Sequence, residues 1–167
     1  MRCAQSIRAL GSIKKCMHDD PERTTPIGLA RYAREFFDCA LAADDRVGHG
    51  PGFEIIAPIP VMYLVGHSIE LCLKSYLAYQ GVPLRELRSK KYGHDLTKCL
   101  KKSKELGLNA HVTLDDSENH AFAVLNELYS TKQLNYIVTG AKTFPVFGPI
   151  ESACRKLLNA ICPLVGY

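Results

Sequence analysis

A chain of 167 residues is one domain's worth, long enough to bury about 68–70% of its surface on folding. Its 47% apolar and 23% charged residues lie near the globular average, which excludes a disordered tail, a collagen-like fibre and a low-complexity linker. No run of 18 uncharged apolar residues occurs, which excludes a membrane-spanning helix, and the net charge is a modest +4.

Residues 1–24 are expected to form an arm outside the core, leaving 25–167 as the folded domain. The first twenty residues carry Arg2, Arg8, Lys14 and Lys15 but no apolar run of seven. No signal peptide is therefore expected, and a cytoplasmic location is. Met17 offers a second start. Thr25-Pro26 then reads as a helix start: a capping hydroxyl followed by proline at the first helical position. Leu29, Tyr32, Ala33, Phe36, Phe37, Ala40 and Ala43 repeat at three and four, predicting an amphipathic helix of about five turns. Gly48 to Pro60 holds three prolines and three glycines, so it is a loop. Phe53, Ile55 and Ile56 predict that it packs down onto the core.

A second helix is predicted from Val61 to Gln80, ended by Gly81 and Pro83. At 100° per residue, Tyr63, His67, Glu70 and Lys74 share an arc of about 60°. Nearly everything else on this helix is apolar or small, so it is expected at the centre of the fold. After a basic connection, Asp95 is the expected cap of a third helix. Leu96, Cys99, Leu100, Ser103 and Leu106 form its inner face; Lys98, Lys101, Lys102 and Lys104 form its outer face. Gly107 ends it. A fourth helix is predicted from about Asp115 to Thr131, with Ala121, Phe122, Val124, Leu125, Leu128 and Tyr129 inward. A last one starts at Pro149, inward at Ile150, Ala153, Cys154, Leu157, Leu158 and Ile161, and ends before Pro163. With no period-2 strand pattern and no internal repeat, the expected fold is all-α, an antiparallel bundle of about five helices.

Seven cysteines without a Cys-x-x-Cys pair point to neither a disulfide framework nor a structural zinc. Cys39, Cys72, Cys99 and Cys154 stand among apolar residues, where cysteine acts as a small hydrophobe. The positive charge is concentrated. Residues 85–104 hold eight basic side chains against Glu86 and Asp95, while the rest of the chain is slightly acidic. Arg85, Lys90, Lys91, Lys98, Lys101 and Lys102 are thus candidates for phosphate or RNA binding.

The stripe of the second helix is the candidate for chemistry. His67 and Glu70 are three apart, and Tyr63–His67 and Glu70–Lys74 are four apart, so the side chains touch in sequence along the helix. Glu70 can accept from His67 and Lys74, which suits either an acid–base role or a paired polar stripe inside a bundle. No metal is expected, because a di-metal bundle needs two Glu-x-x-His helices and none is present. No phosphate loop, Gly-x-Ser-x-Gly or His-Glu-x-x-His occurs, and no cofactor is expected.

The stretch GHSIELCLKSYLAYQG followed by YGHDLTKCLKKSKELGL resembles the HEPN (higher eukaryote and prokaryote nucleotide-binding) domain family. Its mark is a His-x-x-Glu-x-x-x-Lys helix followed by a Gly-His-Asp-Leu helix start. LARYAREFFDCA upstream and LNELYSTKQLNY downstream fit the same layout, and the likeness covers about residues 25–162. The resemblance implies a helical bundle that forms a homodimer in a prokaryotic toxin–antitoxin or defence-type system. It also implies RNA, a nucleotide or a partner protein such as a nucleotidyltransferase as the binding partner. Many such domains are metal-independent ribonucleases with an Arg and a His separated by four to six residues. Arg88 and His94 have that spacing here, whereas Leu125 to Tyr136, where the family carries the motif, has neither residue. The expectation is therefore a binding module without strong catalysis. The alternative is a ribonuclease using Arg88 and His94, with Lys90, Lys91 and Lys98 guiding the phosphates.

Overall fold

A computed structural model describes residues 23–136 and 139–167. Among the described residues every regular element is helical and no strand occurs. Six α-helices follow one another: α1 (Pro26–Val47), α2 (Ile59–Tyr79), α3 (Leu84–Leu87), α4 (Leu96–Glu105), α5 (Asp116–Ser130) and α6 (Phe147–Leu164). A 3-10 turn at Leu108–Ala110 stands between α4 and α5. Five of the helices are the expected ones. The four-residue α3 and the 3-10 turn were not expected, since neither is long enough to show a period. α6 begins at Phe147, before Pro149. The expected arm over residues 1–24 lies outside the described residues apart from Arg23 and Thr24.

Local chemistry sets the helix ends. Thr25 Oγ1 accepts from the Gly28 amide at 3.1 Å, with Pro26 next in line. Asp95 Oδ1 accepts from the Lys98 amide at 3.0 Å. Asp115 and Glu118 form a reciprocal capping box at α5. Gly81 and Gly107, at φ of 84° and 98°, take the left-handed conformation that closes α2 and the α4 turn.

α2 is the central helix, with twelve buried residues. Fully burying side chains such as Ile69, Leu73 and Leu77 contributes about 1.5–3 kcal/mol each. α1 runs antiparallel to it: Ser68 Oγ donates to the Ala33 carbonyl and Ser75 Oγ to the Pro26 carbonyl, both at 2.7 Å. Ala30, Ala33 and Ala40 face this contact and let the helices approach closely. α6 packs against both, with Arg34 donating to Asn159 at 3.2 Å. α5 is tied to α6 by Glu118, which accepts from Ser152 at 2.7 Å and Lys156 at 2.6 Å.

Three burial expectations are corrected. Tyr32 is 55% exposed and Cys39 is exposed, because α1 turns the side formed by Ala30, Ala33, Phe37 and Ala40 to the core. Phe53 and Ile55 are exposed, whereas Ile56 packs against the core as expected, and the Phe147 amide donating to the Ile55 carbonyl at 2.9 Å also fastens the loop. Val124 and Leu106 are only half-buried. Cys72, Cys99 and Cys154 are buried as expected. No described helix is long and apolar enough to cross a membrane.

Candidate functional site

Glu70 is the centre of the polar stripe and is itself buried, at 4% exposure. Its Oε1 accepts from Lys74 Nζ at 2.6 Å. Its Oε2 accepts from the Tyr129 hydroxyl at 2.6 Å and faces His94 Nδ1 at 3.1 Å. Lys74 Nζ also donates to the Gly93 carbonyl at 2.7 Å. Gly93, at φ of 51°, lets the backbone turn so that this carbonyl and the His94 ring both meet α2. Asp95 then caps α4, and Leu96 enters the core. The two sequence motifs therefore interlock: Glu70 and Lys74 of the first hold Gly93 and His94 of the second.

α5 completes the site. Gly66 is what allows it, since a Cβ there would lie 2.6 Å from the Tyr129 ring. The ring rests against α2 one turn before Glu70, and its hydroxyl reaches the carboxylate. Asn126, one turn earlier on α5, accepts from the Leu96 amide at 2.7 Å and so fixes the start of α4.

The proton positions follow from this geometry. Burial alone would push the Glu70 carboxyl up. The His67 imidazole, the Lys74 ammonium and the Tyr129 hydroxyl outweigh it and hold the group well below the usual carboxylate range. Glu70 is thus ionised and only accepts. Burial, then the Glu70 charge, push the Tyr129 hydroxyl far up, so it keeps its proton and gives it to Oε2. His67 Nδ1, 3.0 Å from the Tyr129 oxygen, must then be a donor. His94 Nδ1 must donate to Oε2 for the same reason. Both imidazoles carry a proton on Nδ1. Nε2 of His94, whose side chain is 55% exposed, is left for a ligand. His67 is wedged between the Phe36 edge, 4.4 Å away, and the Tyr63 face, 6.2 Å away.

His94 and Tyr129 floor a cleft of about 160 Å³ lined further by Tyr63, Lys132, Asn135 and Tyr136. Arg88 lines a different cleft of about 300 Å³, beside Lys74 and Leu87. The two residues proposed as a ribonuclease pair thus line separate clefts. A carboxylate-anchored imidazole is equipped to accept or deliver a proton at Nε2. No thiol competes for that role among the buried cysteines, since burial pushes Cys99 and Cys154 up to about 12.

The basic segment is partly self-neutralised. Lys91 pairs with Glu86, Lys98 with Asp95 at 3.1 Å, and Lys102 with Glu105 at 3.2 Å. Arg85, Lys90 and Lys101 are exposed, and Lys101 joins Lys104 on the rim of a cleft of about 550 Å³ between α4 and α5. His111 and His120 are exposed, and the described residues contain no group of three or more His, Cys, Asp or Glu placed to hold a metal ion.

Sequence reasoning missed Tyr129, Asn126 and Lys132 as site residues. A tyrosine on a buried helical face carries a signal, because its hydroxyl needs a polar partner. No comparable signal marks Lys132. Compared with known proteins, the chain matches no family model, and neither a curated protein nor a solved structure resembles it significantly.

Proposed function

We propose that this chain is a helical module that binds a nucleotide or single-stranded RNA through the His94 cleft, without strong catalysis of its own. The observation that carries the reading is the cleft's composition. A carboxylate-oriented imidazole, one lysine, one asparagine and three tyrosines combine phosphate-binding groups with flat rings on which a base can stack. Lys101 and Lys104 extend a basic surface along α4 for the rest of a polyanion. The binding-only reading is supported by Arg88 and His94 lining separate clefts.

The same resemblance that suggests RNA suggests a HEPN-like homodimer in a prokaryotic toxin–antitoxin or defence-type system, with a nucleotidyltransferase as a partner. A dimer is supported by the outer stripe of α1. There, exposed Tyr32 and Cys39 repeat at helical spacing with half-buried Leu29, Phe36 and Ala43.

Titration of a labelled single-stranded RNA at rising salt tests the reading. Affinity should fall by roughly 0.7 log unit per log unit of salt for each phosphate that the protein neutralises. Absence of RNA and nucleotide binding at low salt would overturn it. The alternative, a metal-independent ribonuclease using Arg88 and His94, draws on the Glu70-anchored imidazole. Cleavage of RNA in EDTA, lost in both Arg88→Ala and His94→Ala, would establish that alternative instead.

A further inference from the structure

Lys132 occupies a backbone conformation that glycine ordinarily fills. Its φ is 62°, and among the described residues it is the one non-glycine residue with a positive φ. The other positive-φ positions there are Gly52, Gly81, Gly93, Gly107, Gly140 and Gly166. Lys132 closes α5: its amide donates to the Tyr129 carbonyl at 3.1 Å, and the Gln133 amide donates to the Leu128 carbonyl at 2.9 Å. That is the helix-ending turn in which glycine is the usual residue. A lysine adds strain there and contributes nothing to the turn that glycine would not. Residues held in such conformations cluster at functional sites.

The position of Lys132 supplies a reason. Its side chain lines the His94 cleft, three residues beyond Tyr129 and three before Asn135. No carboxylate lines that cleft. Glu70 lies beneath its floor, with both oxygens already engaged by Lys74, Tyr129 and His94. The cleft is lined instead by the Lys132 side chain, the His94 imidazole, Asn135 and three tyrosines, of which Tyr129 gives its hydroxyl to Glu70. At about 160 Å³ the cleft is smaller than the roughly 300 Å³ at which sites for whole small molecules begin. A single tetrahedral anion suits that space, with the remainder of its molecule outside, against Tyr136, which is 69% exposed.

We propose that the His94 cleft is a phosphate site, and that Lys132 is retained at a glycine position because its ammonium is the charge partner of that phosphate. The Asn135 amide N–H donates to the phosphate, and so does Nε2–H of His94 when the ring is the imidazolium with both nitrogens protonated. The proposal rests on the nucleotide- or RNA-binding reading above and names the group that reading leaves unspecified. The phosphate is either the terminal group of a nucleotide or strand, or an internal phosphodiester.

Lys132→Gly separates the backbone from the ammonium. Glycine suits the conformation, so the variant should melt no lower than the wild type. Its affinity for a short single-stranded RNA should fall about 10- to 100-fold, the loss of one charge-assisted hydrogen bond. Lys132→Arg should retain most of the affinity. Strands of one sequence with a 5′-phosphate or a 5′-hydroxyl distinguish the sources. A loss confined to the 5′-phosphorylated strand supports a terminal phosphate, and equal losses support an internal one. Unchanged affinity in Lys132→Gly, with RNA still bound, overturns this proposal and leaves the RNA-binding reading standing. Inorganic phosphate that shifts the His94 ring resonances in the wild type but not in Lys132→Gly, from a protein that binds neither RNA nor nucleotide, supports the site and overturns the RNA-binding reading. Absence of both responses overturns both.

Discussion

The Tyr129 hydroxyl donates to Oε2 of Glu70 at 2.6 Å, across 59 residues of chain, and this bond ties the last turn of α5 to the middle of α2. The Tyr129 hydroxyl oxygen in turn accepts from His67 Nδ1 at 3.0 Å, so one hydroxyl serves two partners. Tyr129→Phe keeps the ring and its packing but removes both bonds. His67 then loses its acceptor, and Glu70 loses a donor. The expected loss is about 1–3 kcal/mol, the cost of leaving a buried polar group unpaired. Urea unfolding would show it as a lower midpoint with an unchanged slope.

Glu70→Ala should cost more, about 3–5 kcal/mol, because it strands the Lys74 ammonium, which is only 12% exposed. The isosteric Glu70→Gln gives the pH signature. The Glu70 carboxyl is held below its ordinary value of 4.5, so the folded state binds that proton less readily than the unfolded state. Its contribution is complete above about pH 4.5 and is lost as the pH falls further toward the folded-state value. The stability gap between wild type and Glu70→Gln should therefore be flat from about pH 7 to 5 and narrow at lower pH. A gap that widens on acidification would mean that Glu70 is not ionised in the folded protein.

Gly66→Ala tests the close approach that makes the site. Its new Cβ would lie 2.6 Å from the Tyr129 ring, and the ring cannot yield without losing Glu70. Overpacking of this kind costs about 1–3 kcal/mol. Removing the ring relieves the clash, so Gly66→Ala should cost less in a Tyr129→Ala background than in the wild type. A double-mutant cycle measures this coupling, expected at about 0.5–3 kcal/mol.

The legible part of the fold is the part written locally. Thr25, Asp95 and Asp115 cap helices that start where those residues predict, and Gly81 and Gly107 follow the ends of α2 and α4. The grouping of Tyr63, His67, Glu70 and Lys74 needs only the helical period of α2. What it holds is less local. Gly93 reaches Lys74 across 19 residues, His94 reaches Glu70 across 24, and no periodicity encodes which loop lies over which turn. Glycine at position 66 reads as an ordinary small residue until Tyr129 is seen against it. On α1 the difficulty is one of choice. The Ala30, Ala33, Phe37 and Ala40 side and the Leu29, Tyr32, Phe36 and Cys39 side are both apolar, and a stripe that spans both is too wide. The close fit of α1 against Ser68 and Ser75 of α2 selects the side that carries Ala30, Ala33 and Ala40, which leaves Tyr32 and Cys39 outside.

His94→Ala should separate binding from folding. The imidazole is more than half exposed, and Glu70 keeps both Tyr129 and Lys74 when it is removed. The stability loss should therefore stay near 1 kcal/mol, about 2–4 °C in melting temperature at this chain length. RNA affinity should fall sharply, because Nε2 is the cleft's fixed hydrogen-bonding group. Reversing charge at Lys90 and Lys101, both exposed and outside that cleft, should act differently. It should weaken binding of every strand to a similar degree and flatten the salt dependence by roughly 0.7 log unit for each phosphate no longer neutralised. Stability should change by no more than about 0.5 kcal/mol per substitution. If His94→Ala instead lowers stability strongly while the protein that remains folded keeps its RNA affinity, the imidazole is a strut between α2 and α4 and not part of a binding site.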